Sequence, residues 1–439
     1  MNEQKFVVGN MKVFKFGGAS LQDADSIKQL TEIIVAHQSQ NLVIVVSAMG
    51  KTTQALETIF QQKLSNQPYE KSIEAIYVFH QTIVETLLGN ACQQAQQALM
   101  DWKLQLTLCL QMPCATHNLD KLYSSLVAWG ELLASKIVYD YLQLQAVPCK
   151  WLDARNYIKT YLGFKDAQID WHSTQTLVNQ KLLPVFEQHP IILTQGFIGS
   201  NQAGDTTTLG KEGSDFTGAI LANTLHAQSL TIWKDVPGIM SADPKQFQET
   251  TKFDQLSYKD MAKMAFYGAQ VLHPQTIQPL AIKNIPLYVK PFYDWQATGT
   301  IIINEPLKIT KPIYMLKTNQ CLVSLHVKDF TFLDEQKLSM IFQHLTKLAV
   351  KVNMLERSAY SLCLCLNNDW LKLKRLSKIW QPQFVVAHNS PVSLLTIMHQ
   401  ADGLSEKYLL HKTVLLEQQC QQLYQVVFKE TYPYAHPAN

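Results

Sequence analysis

The chain has 439 residues, of which 47% are hydrophobic and 17% charged, and its 38 Lys+Arg against 35 Asp+Glu give a formal net charge of +3 at pH 7. This composition excludes a disordered chain and allows large hydrophobic cores, and the length predicts about two or three domains. A charge so close to neutrality is not the basic signature of a nucleic-acid-binding or membrane-surface protein.

Cysteine usage and the lack of long apolar runs favour a cytoplasmic protein. Eight cysteines occur, none in a C-x-x-C pair, so we predict buried reduced thiols rather than disulfides or a zinc site. The first ten residues hold no apolar signal-peptide region, and no run reaches the ~18 apolar residues of a membrane span. We therefore expect a cytoplasmic protein with no membrane or nucleic-acid partner and no metal-ligand cluster.

The first predicted elements alternate between strand and helix. Residues 12–16 have an alternating strand pattern, Gly17 and Gly18 follow, and apolar residues spaced three and four apart from about Asp23 predict a helix. Residues 41–49 are a β-branched run, typical of a strand that is buried on both faces in a parallel sheet. This order predicts an α/β sandwich with a mainly parallel central sheet.

Helices and then strands continue this α/β pattern. Residues from about 52 to 145 are predicted to be mostly helical, and Glu131 among them is either solvated or directed into a cleft toward an amine. Short strands follow at 191–193 and 230–233, and a closing strand comes at 300–303. The polar, glycine-containing segments after these strands lie where α/β folds usually bind ligands.

The remaining residues have a different texture. Pro306 and Pro312 bracket the best candidate for a linker. Beyond it, a β-α-β-β order ends in a strand at 361–366, and a second, shorter series starts at Val392. We predict one small α+β module followed by a partial repeat of it.

The first candidate ligand site is the end of the first strand. Lys15 precedes Gly17 and Gly18, and two glycines before a helix start let backbone N–H groups approach an anion while the lysine neutralises it. An ordinary strand–turn–helix connection with a solvated lysine explains the same pattern, because short glycine patterns are a weak signal.

The second candidate is the segment 206–215. Ser214 and Asp215 suit the N-cap and first turn of a helix. Capping alone explains that pair, but it does not explain three threonines beside Gly-Lys-Glu-Gly. The alternative is a loop that holds a charged substrate through Lys211, Ser214 and Asp215.

The third candidate is the segment 233–245, where a strand leads into two successive proline-containing turns. It fits a loop that closes over a nucleotide, with Asp235 accepting a hydrogen bond and Lys245 meeting phosphate. It fits a surface double turn equally well.

Together, six ordered segments resemble aspartate kinase, a family of the amino-acid kinase superfamily. The segments are Lys15-FGGAS, Ser47-AMGKTT, Gly130-ELL, Gly196-FIGSN…GDTTTLGKEGSDF, Trp233-KDVPGIMSADP and Phe266-YGAQVLHP. The resemblance covers about residues 12–303, and the C-terminal texture resembles the ACT modules that follow such kinase domains. It implies a kinase domain at 11–304, an ACT-like (ferredoxin-like) module at 315–386 and a second, partial or degenerate module at 387–439. The last two are too short to hold a fused second enzyme.

The resemblance implies transfer of the ATP γ-phosphoryl group, with Mg²⁺, to the side-chain carboxylate of L-aspartate. The product, 4-phospho-L-aspartate, enters lysine, threonine and methionine biosynthesis. A carboxylate is already ionised at neutral pH and requires no general base. Catalysis should then rest on positioning and charge stabilisation. Lysine or threonine as effector and a homodimer or higher homo-oligomer are implied as well.

Residue by residue, the resemblance implies two catalytic positions, four substrate-binding positions and seven nucleotide-binding positions. The catalytic positions are Lys15 and Asp215; the substrate-binding positions are Thr53, Glu131, Lys211 and Ser214, with Glu131 meeting the aspartate ammonium; the nucleotide-binding positions are Gly17, Gly18, Lys234, Asp235, Met240, Lys245 and Gln270. No metal-binding residue is implied.

The chain departs from the usual family pattern at the second candidate site. Lys211 and Glu212 stand where Arg-Gly is usual, and a lysine offers the substrate α-carboxylate a point charge rather than a bidentate fork. Gln270 stands where many members carry lysine, so one phosphate contact is missing or is supplied by Lys234. Two alternatives follow: another amino-acid kinase superfamily member, or a catalytically weakened amino-acid-binding regulatory protein.

Overall fold

The computed structural model describes residues 11–91, 93–111, 119–161, 163–269, 271–329, 331–399 and 408–430. Their contacts divide the chain into two compact units. The first comprises the described residues of Met1–Ile239, Lys252–Ala262 and Val271–Pro306, and the second comprises those of Met240–Thr251, Lys263–Gln270 and Leu307–Asn439.

Helices and strands are numbered here in chain order. The helices are α1 Ala24–Ala36, α2 Thr52–Leu64, α3 Glu70–Leu88, α4 Gln93–Gln111, α5 Leu119–Leu144, α6 Trp171–Leu177, α7 Gly213–Thr224, α8 Tyr258–Tyr267, α9 Pro274–Ile282, α10 Glu335–Lys347 and α11 Trp370–Trp380. The strands are β1 Met11–Phe16, β2 Asn41–Val46, β3 Cys149–Trp151, β4 Ile191–Gln195, β5 Ile198–Ser200, β6 Thr206–Thr208, β7 Ser229–Lys234, β8 Gln255–Ser257, β9 Leu287–Pro291, β10 Thr300–Ile303, β11 Ile313–Val327, β12 Val352–Arg357, β13 Ser361–Asn367, β14 Phe384–Met398, β15 Lys412–Cys420 and β16 Leu423–Glu430.

The first unit is built on an eight-stranded sheet in the order β3-β4-β2-β1-β7-β9-β10-β8. All neighbouring pairs are parallel except β9 and β10. The central strands β1, β2, β4 and β7 are buried almost throughout, as their β-branched runs predicted. The predicted α/β sandwich with a mainly parallel sheet is therefore confirmed.

Helices cover both faces of this sheet because alternate side chains of each strand point to opposite sides. Phe14 and Phe16 of β1 join the main core, to which α1 and α5 contribute. Helix α1 begins where predicted, and the Asp23 carboxylate accepts from the backbone N–H of Ser26 as its N-cap. Helix α7 packs against β1, β2 and β7; because a Cβ added at its Gly218 would lie 3.6 Å from the Cβ of Lys15, it covers the face that carries Lys15.

The second unit contains a six-stranded sheet in the order β12-β13-β11-β14-β16-β15, with every pair antiparallel. Strands β12, β13, the second half of β11 and the first half of β14, together with α10 and α11, form a β-α-β-β-α-β module. Trp380 and Phe384 are almost fully buried in its core. This is the predicted ACT-like, ferredoxin-like fold.

Two details of the second unit differ from simple expectation. Strand β12 begins only at Val352, because the Val350 N–H donates to the Leu345 carbonyl at the end of α10 and so closes the helix. Strand β14 runs without a break across residues 386 and 387 and then pairs with β16, so its two halves serve two parts of the sheet. The domain limits remain predictions.

Among the helices in the described ranges, none is both long and apolar enough to span a membrane. None of the cysteines that the structure describes forms a disulfide.

Candidate active site

A cavity of about 630 Å³ opens in the first unit beside the carboxyl ends of the parallel strands. Lys15 of β1 and Lys234 of β7 line it, as do Ser47 and Gly50 after β2 and Phe197 after β4. These strands are neighbours in the sheet. The carboxyl edge of a parallel sheet is the usual place for a ligand in such folds.

One part of the cavity is a charge cluster, here called the lysine end: Lys15 and Asp215, which are buried, and Lys234, which is half-buried. The Lys15 Nζ lies 2.6 Å from Asp215 Oδ1, and the Lys234 Nζ lies 3.0 Å from Asp215 Oδ2. The Lys234 ammonium also donates to the Val271 carbonyl. Two ammonium groups on adjacent strands therefore share one carboxylate and keep a fixed spacing.

Electrostatics keep this cluster ionised. Burial acts to raise the pKa of Asp215, but the Lys15 and Lys234 ammonium groups outweigh it and hold that pKa below its usual range. Burial acts to lower the pKa of Lys234, yet the carboxylates of Asp215 and Glu212 hold it above its usual range. The cluster carries two positive charges against one negative charge, which leaves attraction for an anionic ligand.

The start of α7 forms one wall of the cavity. Its N-cap is Glu212, not Ser214 as the sequence predicted, and Glu212 makes no capping hydrogen bond through its side chain. A glycine at position 196 is required here, because an added Cβ would lie 2.4 Å from the Cβ of Ser214. The loop after β4 thus presses on the helix start, and the N-terminal turn of α7 faces the cavity with its dipole available to an anion.

The two predicted glycines lie directly after β1, and Gly18 lines the cavity. A Cβ added at Gly18 would lie 2.8 Å from the Gly50 carbonyl, and one added at Gly17 would lie 3.3 Å from the Lys15 Nζ. The Gly50 N–H donates to the Gly18 carbonyl. The loops after β1 and β2 are therefore held backbone to backbone beside Lys15.

The other polar region is here called the glutamate end: Glu131 and Thr53. Glu131 lies in the middle of α5 and is 3% exposed. Burial raises the pKa of its carboxyl to about 8, against hydrogen bonds from backbone groups and the Thr53 side chain. Its Oε2 atom is buried and has no hydrogen-bond partner among the described residues, so the carboxylate has room for a cationic group.

Sequence reasoning missed several cavity residues. Tyr123 donates to Glu57 Oε1 at 2.7 Å, and the Lys165 Nζ lies 4.6 Å from the centre of the Tyr123 ring. Asp166 packs against Gly210, where an added Cβ would lie 2.4 Å from Asp166 Oδ1. No local pattern marks these residues, because each is brought to the cavity by an element distant in the chain.

Eight of the thirteen predicted site residues line this cavity: Lys15, Gly18, Thr53, Glu131, Lys211, Ser214, Asp215 and Lys234. Gly17 lies beside Lys15, and Asp235 is exposed directly after β7. Met240 and Lys245 belong to the second unit, and Gln270 lies outside the described residues. Within the described part of the chain, no group of three or more His, Cys, Asp or Glu side chains is placed to hold a metal ion.

Comparisons with known proteins agree with this geometry. The model of the amino acid kinase family matches residues 10–291. Lysine-sensitive aspartokinase 3 of Escherichia coli (strain K12) is 32% identical over 359 residues, which are 81% of this chain and 78% of that protein.

Two solved structures are similar over nearly the whole chain. E. coli aspartokinase III in complex with aspartate and ADP (R-state) matches with a TM-score of 0.80 and 26% identity, over 95% of this chain and 96% of that one. The same enzyme in complex with lysine and aspartate (T-state) matches with a TM-score of 0.76 and 26% identity, over 95% of each chain.

Proposed function

The chain belongs to the amino acid kinase family, in its aspartokinase branch, and from that premise we propose that its cavity transfers the γ-phosphoryl group of ATP to the side-chain carboxylate of L-aspartate. One observation carries the proposal: two lysines held by one buried aspartate stand at the carboxyl edge of the sheet, beside an uncapped helix start. That arrangement binds and polarises phosphate.

In the proposed reaction an aspartate carboxylate oxygen attacks the γ-phosphorus while the bond to the β–γ bridging oxygen breaks and ADP leaves. No proton needs to be removed, because the acceptor is already ionised. Lys15 and Lys234 stabilise the charge that spreads over the phosphoryl oxygens, and Asp215 positions both ammonium groups. Lys15 is therefore proposed as catalytic because it stabilises this charge, and Asp215 because it holds the ammonium group of Lys15 in place.

Aspartate is proposed to lie between the lysine end and the glutamate end. The Glu131 carboxylate binds the substrate ammonium, and the Thr53 side chain holds one oxygen of Glu131 in place. Lys211 attracts the substrate α-carboxylate near Ser214. The buried and unpartnered Oε2 of Glu131 supports this orientation, since a buried acceptor without a donor is costly unless a ligand supplies one. ATP carries no ammonium group, so this end discriminates between the two substrates.

The nucleotide is proposed to lie over Gly17, Gly18, Lys234 and Asp235, as the Mg²⁺ complex. Mg²⁺ keeps several waters and is usually held by substrate phosphates with one or two carboxylates, which suits a cavity whose described residues form no three-ligand cluster. Met240, Lys245 and Gln270 stay predictions as nucleotide contacts.

The second unit is proposed to bind an amino-acid effector, lysine or threonine, and to join chains into a homo-oligomer. An ACT-like fold supports it, and a lysine-sensitive relative is similar over most of the chain. Titration of the purified protein with lysine and threonine tests the effector proposal. A change in rate or melting temperature is expected with one of them, and no change with either rejects it.

Aspartate-dependent ADP release tests the reaction itself. With aspartate as acceptor, we expect ADP to form and hydroxylamine to trap the acyl phosphate as a hydroxamate. With glutamate or acetylglutamate as acceptor, we expect neither product. A protein that binds amino acids without releasing ADP would favour the regulatory alternative. Preference for another acceptor would assign it to a different branch of the superfamily.

A further inference from the structure

Glu212 lines the same cavity and has no role in the reaction described above. It is the N-cap of α7 with φ 55° and ψ 27°, in the left-handed region that glycine adopts freely and glutamate rarely does. A strained backbone that carries a charged side chain into a ligand cavity points to a function for that side chain.

The Glu212 side chain lines the cavity together with the residues of the lysine end, and one of its carboxylate oxygens, the buried Oε2, has no hydrogen-bond partner among the described residues. Burial raises the pKa of this carboxyl, and the Asp215 carboxylate adds to that effect. The Lys234 ammonium opposes it, as do Lys211 and His273. Glu212 therefore interacts with the lysine end by charge, and the Lys234 ammonium is the cation that favours its ionised form most.

The Glu212 carboxylate lowers the net positive charge that the lysine end presents to a phosphate group. Lys15, Asp215 and Lys234 alone leave one positive charge in excess, and Glu212 cancels it. An incoming phosphate must share Lys234 with a second carboxylate, and that carboxylate also repels it.

We propose that Glu212 limits the affinity of this cavity for phosphate-bearing ligands, so that it weakens nucleotide binding and speeds release of ADP. This inference rests on the proposed function, since it takes the lysine end as the phosphate site. It identifies Glu212 as a residue that tunes affinity rather than one that takes part in phosphoryl transfer.

Calorimetric titration of ADP into the full-length protein, with EDTA and at low salt, tests the proposal. We expect Glu212→Gln to lower the Kd for ADP by about 3- to 10-fold, with the gain shrinking in 0.5 M NaCl as screening grows. Asp25→Asn is the matched control, because it removes one negative charge from a side chain that is 89% exposed and should leave the Kd unchanged.

Glu212→Gly separates charge from backbone strain. It should tighten ADP binding as much as Glu212→Gln and, unlike that variant, raise the melting temperature by about 2 °C, because glycine suits the left-handed conformation. An ADP affinity equal to wild type in Glu212→Gln overturns the inference, as does tightening in the glycine variant alone.

A repeat titration with Mg²⁺ distinguishes a metal-binding role. If Glu212→Gln weakens binding of the Mg²⁺–ADP complex while leaving metal-free ADP unaffected, Glu212 is a magnesium ligand and the inference is wrong. Wild-type protein that binds no ADP under either condition overturns the proposed function as well, whereas wild-type binding with an unaffected variant overturns the inference only.

Discussion

The lysine end and the glutamate end of the cavity carry charge in opposite ways. At the lysine end, each ammonium of Lys15 and Lys234 already has the Asp215 carboxylate within 3.0 Å. At the glutamate end, Glu131 is equally buried but has one oxygen without any donor among the described residues, and its pKa is raised to about 8.

The charges of the lysine end are thus already paired without a ligand, whereas the glutamate end is left with an acceptor that a ligand can satisfy. Charges that are fixed before the substrate arrives need no reorganisation during the reaction, which is how an electrostatic catalyst works. A desolvated carboxylate is costly alone and becomes favourable when a cation neutralises it. The first arrangement therefore favours catalysis, and the second favours selective binding of an amine.

The strongest way to break the comparison is to remove Lys15. Lys15→Ala should lower kcat by about 10³-fold, because it deletes a preorganised cation from the transferring phosphoryl group. Aspartate binding at the glutamate end should change far less. Steady-state kinetics measure the first effect, and circular dichroism checks that Asp215, still paired with Lys234, leaves the fold intact.

Lys12→Ala is the control for this variant. Lys12 lies on the same strand but on the opposite face from Lys15, so its removal should leave kcat near that of wild type. Full activity of Lys15→Ala would contradict a catalytic role for the lysine end.

The raised pKa of Glu131 should make the free energy of unfolding depend on pH. In the unfolded chain Glu131 ionises near its ordinary pKa of 4.5, and in the folded protein near 8. Between these two pH values the folded state keeps a proton on Glu131 that the unfolded chain has lost. The contribution of Glu131 to the free energy of unfolding is therefore greatest below pH 4.5 and is lost progressively as the pH rises to about 8. The full loss is on the order of 3–5 kcal/mol.

Glu131→Gln should remove that loss. The variant should match wild type near pH 4.5 and have a higher melting temperature at pH 8, as measured by thermal scans in the absence of ligand. Glu32→Gln, at an exposed position of α1, removes the same charge and should show the wild-type dependence. Identical curves for Glu131→Gln and wild type would mean that the carboxyl is not desolvated.

The same variant tests selective binding. Glu131→Gln should raise the KM for aspartate by about 10- to 100-fold, because the ammonium loses a charge-assisted partner. The KM for ATP should stay within about 2-fold of wild type. In wild type, aspartate affinity should rise as pH approaches 8, since the ionised carboxylate binds the ammonium. A larger effect on ATP than on aspartate would reverse the assignment of the two ends.

The sequence predicted the two ends unequally. Lys15 was predictable as a candidate site residue because a strand pattern and nearby glycines are local signals, although an ordinary strand–turn–helix connection explained them as well. Lys234 was assigned only through the family resemblance. The fold followed from the same periodicities. The family resemblance was needed for Glu131, since nothing in an amphipathic helix shows which glutamate is buried.

The parts that were missed depend on contacts between distant segments. Tyr123 and Glu57 are 66 residues apart in the chain, and no pattern in either segment predicts their hydrogen bond. The N-cap of α7 was predicted two residues too late, at Ser214, because serine is a good cap by type, whereas the observed N-cap is Glu212 with a left-handed backbone. Such a conformation for a glutamate is not predictable from propensity.

Lys211 offers the smallest and sharpest test, because it lines the cavity and is proposed to attract the α-carboxylate of aspartate. It is exposed, so its charge is screened by water and contributes less than the buried lysines. Lys211→Arg should lower the KM for aspartate by about 3-fold through a bidentate contact with the α-carboxylate, leaving kcat near wild type. Lys150→Arg, at an exposed position of β3, makes the same exchange outside the cavity and should change neither constant. If Lys211→Arg raised kcat and left the KM for aspartate unchanged, residue 211 would instead act on the phosphoryl group, at the lysine end.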